Sequence, residues 1–249
     1  MPRLMLTDEF WSKLQPIMLD SGIYDKGELR SNMEGILFRL RTGIPWRDLP
    51  KEFGKWNSIY KKFNEWSKKK KLLKIFKKLV EDPDNEWKFI DGSIVKAHQH
   101  STGARKQERT AIGKSVAGNS TKIHLGTDAF GLPVEIIVTE GQVHDSQVAC
   151  DLISKLPVGG SVIADKGYDD SFIRCYIKAR KGDPIIPKRK NAKIKQVDFD
   201  WGSYKNRHIV ENTFARLKHF RSISTRYDKL KRNFEGMLLI AFCYMWLPM

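Results

Sequence analysis

A chain of 249 residues with 41% hydrophobic side chains has room for one large domain, or a small one beside a medium one, and excludes global disorder. Lys and Arg number 45 against 29 Asp and Glu, and the resulting formal net charge of +16 points to a polyanionic partner, by default nucleic acid. Cys150, Cys175 and Cys243 form no CxxC pair, which argues against a disulfide framework and a structural zinc site and for a reducing compartment.

Asp8 and Glu9 interrupt any signal-peptide pattern, so a cytoplasmic protein is expected. Phe10, Leu14 and Ile17 then fall at i, i+4 and i+7, with Thr7 as N-cap, and predict a first helix. A second runs near Leu29 to Arg41, with Met33, Ile36, Leu37 and Leu40 inward, and stops at Gly43 and Pro45. Trp46 to Leu49 reads as a short helical turn. A third helix starts near Trp56. Trp56, Ile59, Tyr60, Phe63 and Trp66 form its apolar stripe, and Ser58, Lys61, Lys62 and Glu65 its polar face. A basic fourth helix spans Leu72 to Val80. Short helices between Gly/Pro turns, the late ones basic, suggest a helix-turn-helix-like module. Nine lysines between Lys61 and Lys78 favour DNA contact, with Lys61 and Lys62 as candidates, over a merely solvated face.

Asp82-Pro83-Asp84-Asn85 reads as a linker. The expected organisation is a helical DNA-binding domain over 1–82, a linker over 83–86 and a second domain over 87–249. Net charge is 18 − 13 = +5 over 1–86 and 27 − 16 = +11 over 87–249. The second part opens with a strand over Lys88 to Ile94. Ser101 to Thr121 is rich in Gly, Ser, Thr and Lys without periodicity and reads as a long mobile loop. Ile123 to Thr127 and Leu132 to Val138 flank the turn Asp128-Ala-Phe-Gly131. A helix over Ser146 to Leu156, a strand over Ser161 to Ala164, a helix over Asp170 to Lys181 and a short strand over Pro184 to Pro187 follow. Helices near Tyr204 to Phe220 and Asn233 to Trp246 close the chain. Met237 to Leu247 is too short to cross a bilayer, which takes ~20 residues, and fits a buried helix; no membrane partner is expected. The pattern implies an α/β fold, a mixed sheet flanked by helices.

Three carboxylates stand out. Asp91 follows Trp87-Lys-Phe-Ile90, and Asp165 follows Ser161-Val-Ile-Ala164, so both read as strand-end residues held rigidly at a sheet edge. Oxygen ligands of this kind suit magnesium or manganese, and two such ions can drive phosphodiester displacement. Glu211 shares a helix with Tyr204, Arg207 and Lys218; at 100° per residue the four fall within an arc of about 60°. Ile209, Val210, Phe214 and Leu217 form the adjoining apolar face. His144-Asp145-Ser146 either adjoins this site or caps the next helix. His98 and His100 lack the further ligands of a zinc set. Asp128 reads as a turn residue, and Trp201 as a packing residue.

Asp165-Lys-Gly-Tyr-Asp169 followed by Tyr204-x2-Arg207-x3-Glu211-x6-Lys218 resembles the DDE transposases of the IS-four/IS-five insertion-sequence superfamily, and Phe89-Ile-Asp91-Gly-Ser93 looks like their first acidic motif. Leu37-x-Arg39-Leu-Arg41-Thr-Gly43-x-Pro45-Trp-Arg-Asp-Leu-Pro50 with Trp56-Asn57 is similar to the helical leader of the IS-five branch. The resemblance implies a ribonuclease-H-like catalytic core and two divalent cations, Mg or Mn. Asp91, Asp165 and Glu211 would be catalytic metal ligands, and Tyr204, Arg207 and Lys218 phosphate contacts. It also implies double-stranded DNA as partner, both element ends and target, a homodimer on paired ends, and a prokaryotic, nucleoid-associated setting. Only 45 residues separate Asp165 from Glu211, too few for the large β-rich insertion of some relatives and for a hairpin mechanism that rests on it. Two other readings are a related nuclease of the same fold without strand transfer, and a catalytically inactive, transposase-derived DNA-binding regulator.

Overall fold

The computed structural model describes residues 2–103, 110–116, 118–189 and 198–249. In chain order the elements are α1 (Asp8–Asp20), α2 (Leu29–Thr42), α3 (Trp56–Lys68), α4 (Lys71–Leu79), β1 (Trp87–Ala97), β2 (Gly113–Ser115), β3 (Gly118–Thr127), β4 (Pro133–Glu140), α5 (Asp145–Lys155), β5 (Ser161–Ile163), α6 (Ser171–Ala179), β6 (Asp183–Ile185), α7 (Trp201–Tyr204), α8 (His208–Lys218), α9 (Arg221–Ser224), β7 (Thr225–Arg226) and α10 (Lys231–Trp246). The chain divides into two compact units: Met1–Glu81 with Lys96–Thr110 and Leu217–Met249, and Asp82–Val95 with Ala111–Arg216.

The first unit is helical. Thr7 caps α1, its Oγ1 accepting from the Phe10 N–H at 3.1 Å, so one of the unpaired first-turn donors is satisfied. Met33, Ile36, Leu37 and Leu40 of α2 are buried, as their spacing requires, and Gly43 ends the helix in the left-handed conformation at φ +72°. The buried Glu34 carboxylate accepts the N–H groups of Met5 and Leu6 at 2.9 and 2.7 Å, which anchors the segment before α1. Ile59, Phe63 and Trp66 turn α3 inward, and Leu72, Ile75 and Phe76 do the same for α4. The core is completed by α10, apolar on nearly every side, which packs on α4, α3 and α2. Phe76 meets Phe242 there at a centroid distance of 5.5 Å. Several of the lysines expected to meet DNA already have partners: Lys69 pairs with Glu65 at 2.7 Å, Lys78 with Asp20, and Lys71 donates to the Gly22 carbonyl. Lys61 is exposed and Lys62 half-buried on α3.

The second unit holds most of a seven-stranded sheet in the order β2-β3-β1-β5-β6, with β4 on β3 and β7 on β1. The β3–β4 hairpin is antiparallel; β1, β5 and β6 run parallel. Its tight turn is fixed by Asp128, whose Oδ1 accepts from the N–H groups of Phe130 and Leu132 at 3.0 and 2.8 Å. α5 covers β3 and β4 and packs beside α6. Phe89, Ile90, Ile123, Leu125, Leu152, Val162, Ile163, Ile173 and Ile177 form this unit's core.

Three expectations are corrected. β1 continues past Ile94 to Ala97, so Asp91 lies inside a strand and not at its end; the extension is paired through Lys96 and Ala97 to β7. Ser101 to Thr121 is not structureless where described: Gly113–Ser115 pairs with Gly118–Ser120, and β3 starts at Gly118. Residues 104–109 and 117 of that stretch lie outside the described residues. Finally, Tyr204 to Phe220 is not one helix. α7 gives way to a tighter 3-10 turn over Lys205–Arg207 before α8 begins, so the helical wheel drawn from Tyr204 holds only from His208 onward.

Candidate active site

Parallel pairing sets the site. Trp87, Lys88 and Phe89 stand opposite Ser161, Val162 and Ile163. Asp91 and Asp165 each follow the last paired residue by two positions, and Asp165 is near enough to raise the Asp91 carboxyl by its charge. Buried neighbours hold each backbone: Phe89 and Ile90 before Asp91, Val162 to Ala164 before Asp165.

Asp165 caps the 3-10 turn Lys166–Tyr168, with one carboxylate oxygen accepting the Gly167 N–H at 2.8 Å. The next turn is clamped by Asp169. Its Oδ1 accepts from Arg174 Nη2 at 2.8 Å and its Oδ2 from the Arg189 N–H at 2.8 Å. Burial pushes the Asp169 carboxyl up, but Arg174 and the Arg189 amide outweigh it and hold it below the usual carboxylate range. The basic stretch that follows Pro187 in the sequence is therefore anchored at Arg189; residues 190–197 lie outside the described residues.

Burial raises the Asp91 carboxyl to about 6. The Gly92 N–H and the Arg207 guanidinium pull it back, and Asp165 and Asp145 add to the rise. Arg207 lies between two of the acidic residues, with Nη1 3.8 Å from Asp91 Oδ2 and Nη2 bonded to Glu211 Oε1. Burial disfavours its charge, but Glu211 and Asp91 more than compensate. Glu211 reaches this place because α8 is docked by its apolar face. Val210, Phe214 and Leu217 are buried, and Thr213 Oγ1 donates to the Gly131 carbonyl at 2.6 Å. Gly131 has to be glycine: at φ +78°, a Cβ would come within 2.6 Å of Ile209 Cγ2. Tyr204 sits on α7 in a ring cluster with Phe199 and Trp201, at 5.4 and 5.8 Å. The indole of Trp201 remains 60% exposed, so packing is not its main setting. Lys218, exposed at the end of α8, and Lys61 and Lys62 count with the first unit and not with these residues.

Sequence reasoning left Asp145 open between this site and a helix cap, and gave no site reading to three neighbours, Lys122, His124 and Tyr168. Asp145, at the start of α5, comes within 3.1 Å of His124 Nδ1 and 3.5 Å of Lys122 Nζ. Burial raises its carboxyl, but these two groups reverse the shift and hold it low. His124 and Lys122 alternate on β3 between apolar residues, a period-2 pair of polar side chains that could have drawn notice. Tyr168 is 1% exposed, and its hydroxyl has no hydrogen-bond partner among the described residues. Burial, then Asp145, Asp91 and Asp165, push that phenol well above its ordinary pKa. His98 does not belong here; its ring stacks on Tyr227 at 4.5 Å.

The donor set around Asp91 is made of oxygens, which suits magnesium or manganese, and one of those oxygens, Tyr168 Oη, is buried without a hydrogen-bond partner among the described residues. As arranged, no three carboxylate, imidazole or thiolate groups among the described residues close on a common point, and Glu211 is turned to Arg207. Among the described residues no helix is long and apolar enough to cross a membrane, and all three cysteines are free.

Comparison with known proteins bears on this site directly. The family model described as "Transposase DDE domain" matches residues 84–246, and "Putative transposase of IS4/5 family" matches 6–76. The "Putative transposase for insertion sequence element IS6501" of Brucella ovis is 36% identical over 132 residues, 51% of this chain and 98% of that protein. The transposase for insertion sequence element IS1106 of Neisseria meningitidis serogroup B is 32% identical over 127 residues, 49% of this chain and 44% of its own. Among solved structures, the piggyBac transposase in a synaptic complex with hairpin DNA matches with a TM-score of 0.55 over 98% of this chain and 73% of that one, at 9% identity. The shared fold is the ribonuclease-H-like one that the family resemblance implied. With the first match spanning well over half its length, the chain belongs to the DDE transposases of the IS4/5 insertion-sequence family.

Proposed function

We propose that the protein binds the terminal inverted repeats of an insertion sequence of the IS-five branch and cuts and joins them, with Asp91, Asp165 and Glu211 as ligands of two divalent cations, magnesium or manganese. The observation that supports the reading is the parallel β1–β5 pairing, which ends at Phe89 and Ile163, two residues before Asp91 and Asp165, together with the electrostatic reach of Asp165 to Asp91. When bound, such cations stabilise the attacking and leaving oxygens of a phosphodiester displacement. The chain's own residues do the rest. Rigid strands fix two carboxylates, and the docked α8 supplies the third. Arg207, which spans Asp91 and Glu211 without DNA, presents a planar fork that can turn to a phosphate and bind it bidentately. Tyr204 donates a hydrogen bond from its hydroxyl to a phosphate oxygen, and Lys218 acts as a point charge. Water attacks the phosphorus at the element end, the P–O3′ bond breaks, and a 3′-hydroxyl is freed. That hydroxyl attacks a target phosphodiester, exchanging one ester for another without a covalent protein–DNA bond. A helix-turn-helix-like surface of the first unit, with Lys61 and Lys62 on α3, holds the repeat, and two copies of the chain pair the two ends.

A labelled terminal repeat incubated with magnesium or manganese tests this. Nicking followed by joining of the label to supercoiled plasmid is expected, and EDTA should stop both. Nicking without joining would leave a nuclease; binding without nicking would leave a regulator. Arg207→Ala and Lys218→Ala should each reduce the slope of log affinity against log salt by about 0.9. An unchanged slope would argue against phosphate contact.

A further inference from the structure

Asp145 and Tyr168 lie outside the three-carboxylate scheme, yet both crowd Asp91. The Asp145 carboxylate reaches back over Gly92, where a Cβ would fall 2.0 Å from its Oδ1 and 2.8 Å from its Cγ. The residue directly after Asp91 thus leaves room for a carboxylate in the place of its own side chain. Two groups on β3 hold that carboxylate there. Lys122 Nζ is 3.5 Å from Oδ2, and His124 Nδ1 is 3.1 Å from Oδ1. The His124 ring is itself buried and fixed from behind, its Nε2 2.9 Å from Thr139 Oγ1.

An acidic residue in the first turn of a helix is ordinary, because the helix dipole favours it. That role asks only for a carboxylate near the helix start, in water. It explains neither the turn of Asp145 over Gly92 nor its two basic neighbours. Nor does it explain the Tyr168 hydroxyl, which is buried without a hydrogen-bond partner among the described residues. Buried polar atoms of native proteins nearly always have partners, so this hydroxyl beside the aspartates calls for a ligand. Tyr168 belongs to the turn capped by Asp165 and is within electrostatic reach of Asp145, Asp91 and Asp165.

We propose that Asp145 is a fourth carboxylate of the divalent-cation site, and that the Tyr168 hydroxyl is the hydrogen-bond donor facing it. Lys122 and His124 keep Asp145 ionised and oriented. This rests on Asp91 and Asp165 being cation ligands, and the test separates the two claims.

Mn2+ binding to the metal-free full chain, read from the electron paramagnetic resonance signal of free Mn2+, can be measured for the wild type, Asp91→Asn, Asp145→Asn, Asp145→Glu and Tyr168→Phe. Asp145→Asn is expected to weaken at least one Mn2+ site by roughly 10- to 100-fold. Asp145→Glu should recover part of that loss, and Tyr168→Phe should weaken binding several-fold. Removing the Tyr168 hydroxyl breaks no hydrogen bond of the metal-free protein, so its melting temperature should stay at the wild-type value even if Asp145→Asn fails to fold. Wild-type Mn2+ affinity in Asp145→Asn or in Tyr168→Phe, with affinity lost in Asp91→Asn, would overturn this proposal and leave the three-carboxylate site standing. Wild-type affinity in Asp91→Asn would overturn both.

Discussion

Asp91→Asn, Asp165→Asn and Glu211→Gln should each lower cleavage of a labelled terminal repeat by at least ~1,000-fold, while binding of the repeat in a mobility-shift assay stays within a few-fold of wild type. The reason is that each change removes a charge and little else. Asparagine at either strand position keeps the shape of the side chain, and at 165 it keeps an oxygen for the Gly167 N–H. Glutamine keeps the reach of Glu211, although the bond from Arg207 loses its charge. Asp91 gives a further control. Its folded pKa, raised to about 6, lies above the ordinary carboxylate value, so the folded protein binds more protons there than the unfolded chain. This contribution favours folding fully at pH values below the ordinary carboxylate range and is lost as pH rises through about 6. Metal-free wild type should therefore lose stability across that window, and Asp91→Asn should flatten the loss. Wild-type cleavage by any of the three purified variants would remove that residue from the site.

Much of this arrangement is legible in the chain, because it rests on local patterns. Apolar spacing marks α2 and α3, the caps Thr7 and Gly43 mark helix ends, and Val162-Ile163-Ala164 before Asp165 marks a buried parallel strand. What is not legible depends on pairing at a distance. After Asp91 the run Gly92-Ser93-Ile94-Val95-Lys96-Ala97 has no clean alternation. It is a strand because neighbours elsewhere in sequence, ending with Thr225 and Arg226, pair with it. Gly113-Lys-Ser115 carries no strand signature, since an edge strand needs only backbone groups. The sequence left Asp145 open between the site and a helix cap, and its contact over Gly92 could not be read. It follows from the absence of a side chain at Gly92, which only three-dimensional packing turns into a contact. Similarly, the apolar α10 announces that it is buried, but not that its partners are α3 and α4 at the other end of the chain.

The Arg39 to Leu49 motif, which resembles the family's leader, has a physical explanation in the first unit, and this carries the largest expected effect on stability. Asp228→Ala should destabilise the protein by about 3–5 kcal/mol, visible in urea or thermal unfolding. Arg39 Nη2 lies 3.4 Å from Asp228 Oδ1, and the two side chains are only 6% and 7% exposed. The guanidinium also sits over Trp46, 4.6 Å from the ring centroid, and the Arg39 carbonyl accepts from Ser222 Oγ at 2.8 Å. On the other side, the Asp228 carbonyl accepts from Arg226 Nε at 2.9 Å. Removing the carboxylate strands a buried cation whose Nε and Nη1 already lack partners among the described residues. Water cannot replace the lost partner without opening the packing of α2 on α9. The cost comes from the unpaired charge, not from the strength of the pair, so the paired change Arg39→Met with Asp228→Leu should recover most of the loss. Stability of that double variant near wild type, with Asp228→Ala several kcal/mol lower, would identify the pair as a fixed docking point for the segment after α9. If Asp228→Ala alone unfolds like wild type, the pair does not hold that segment.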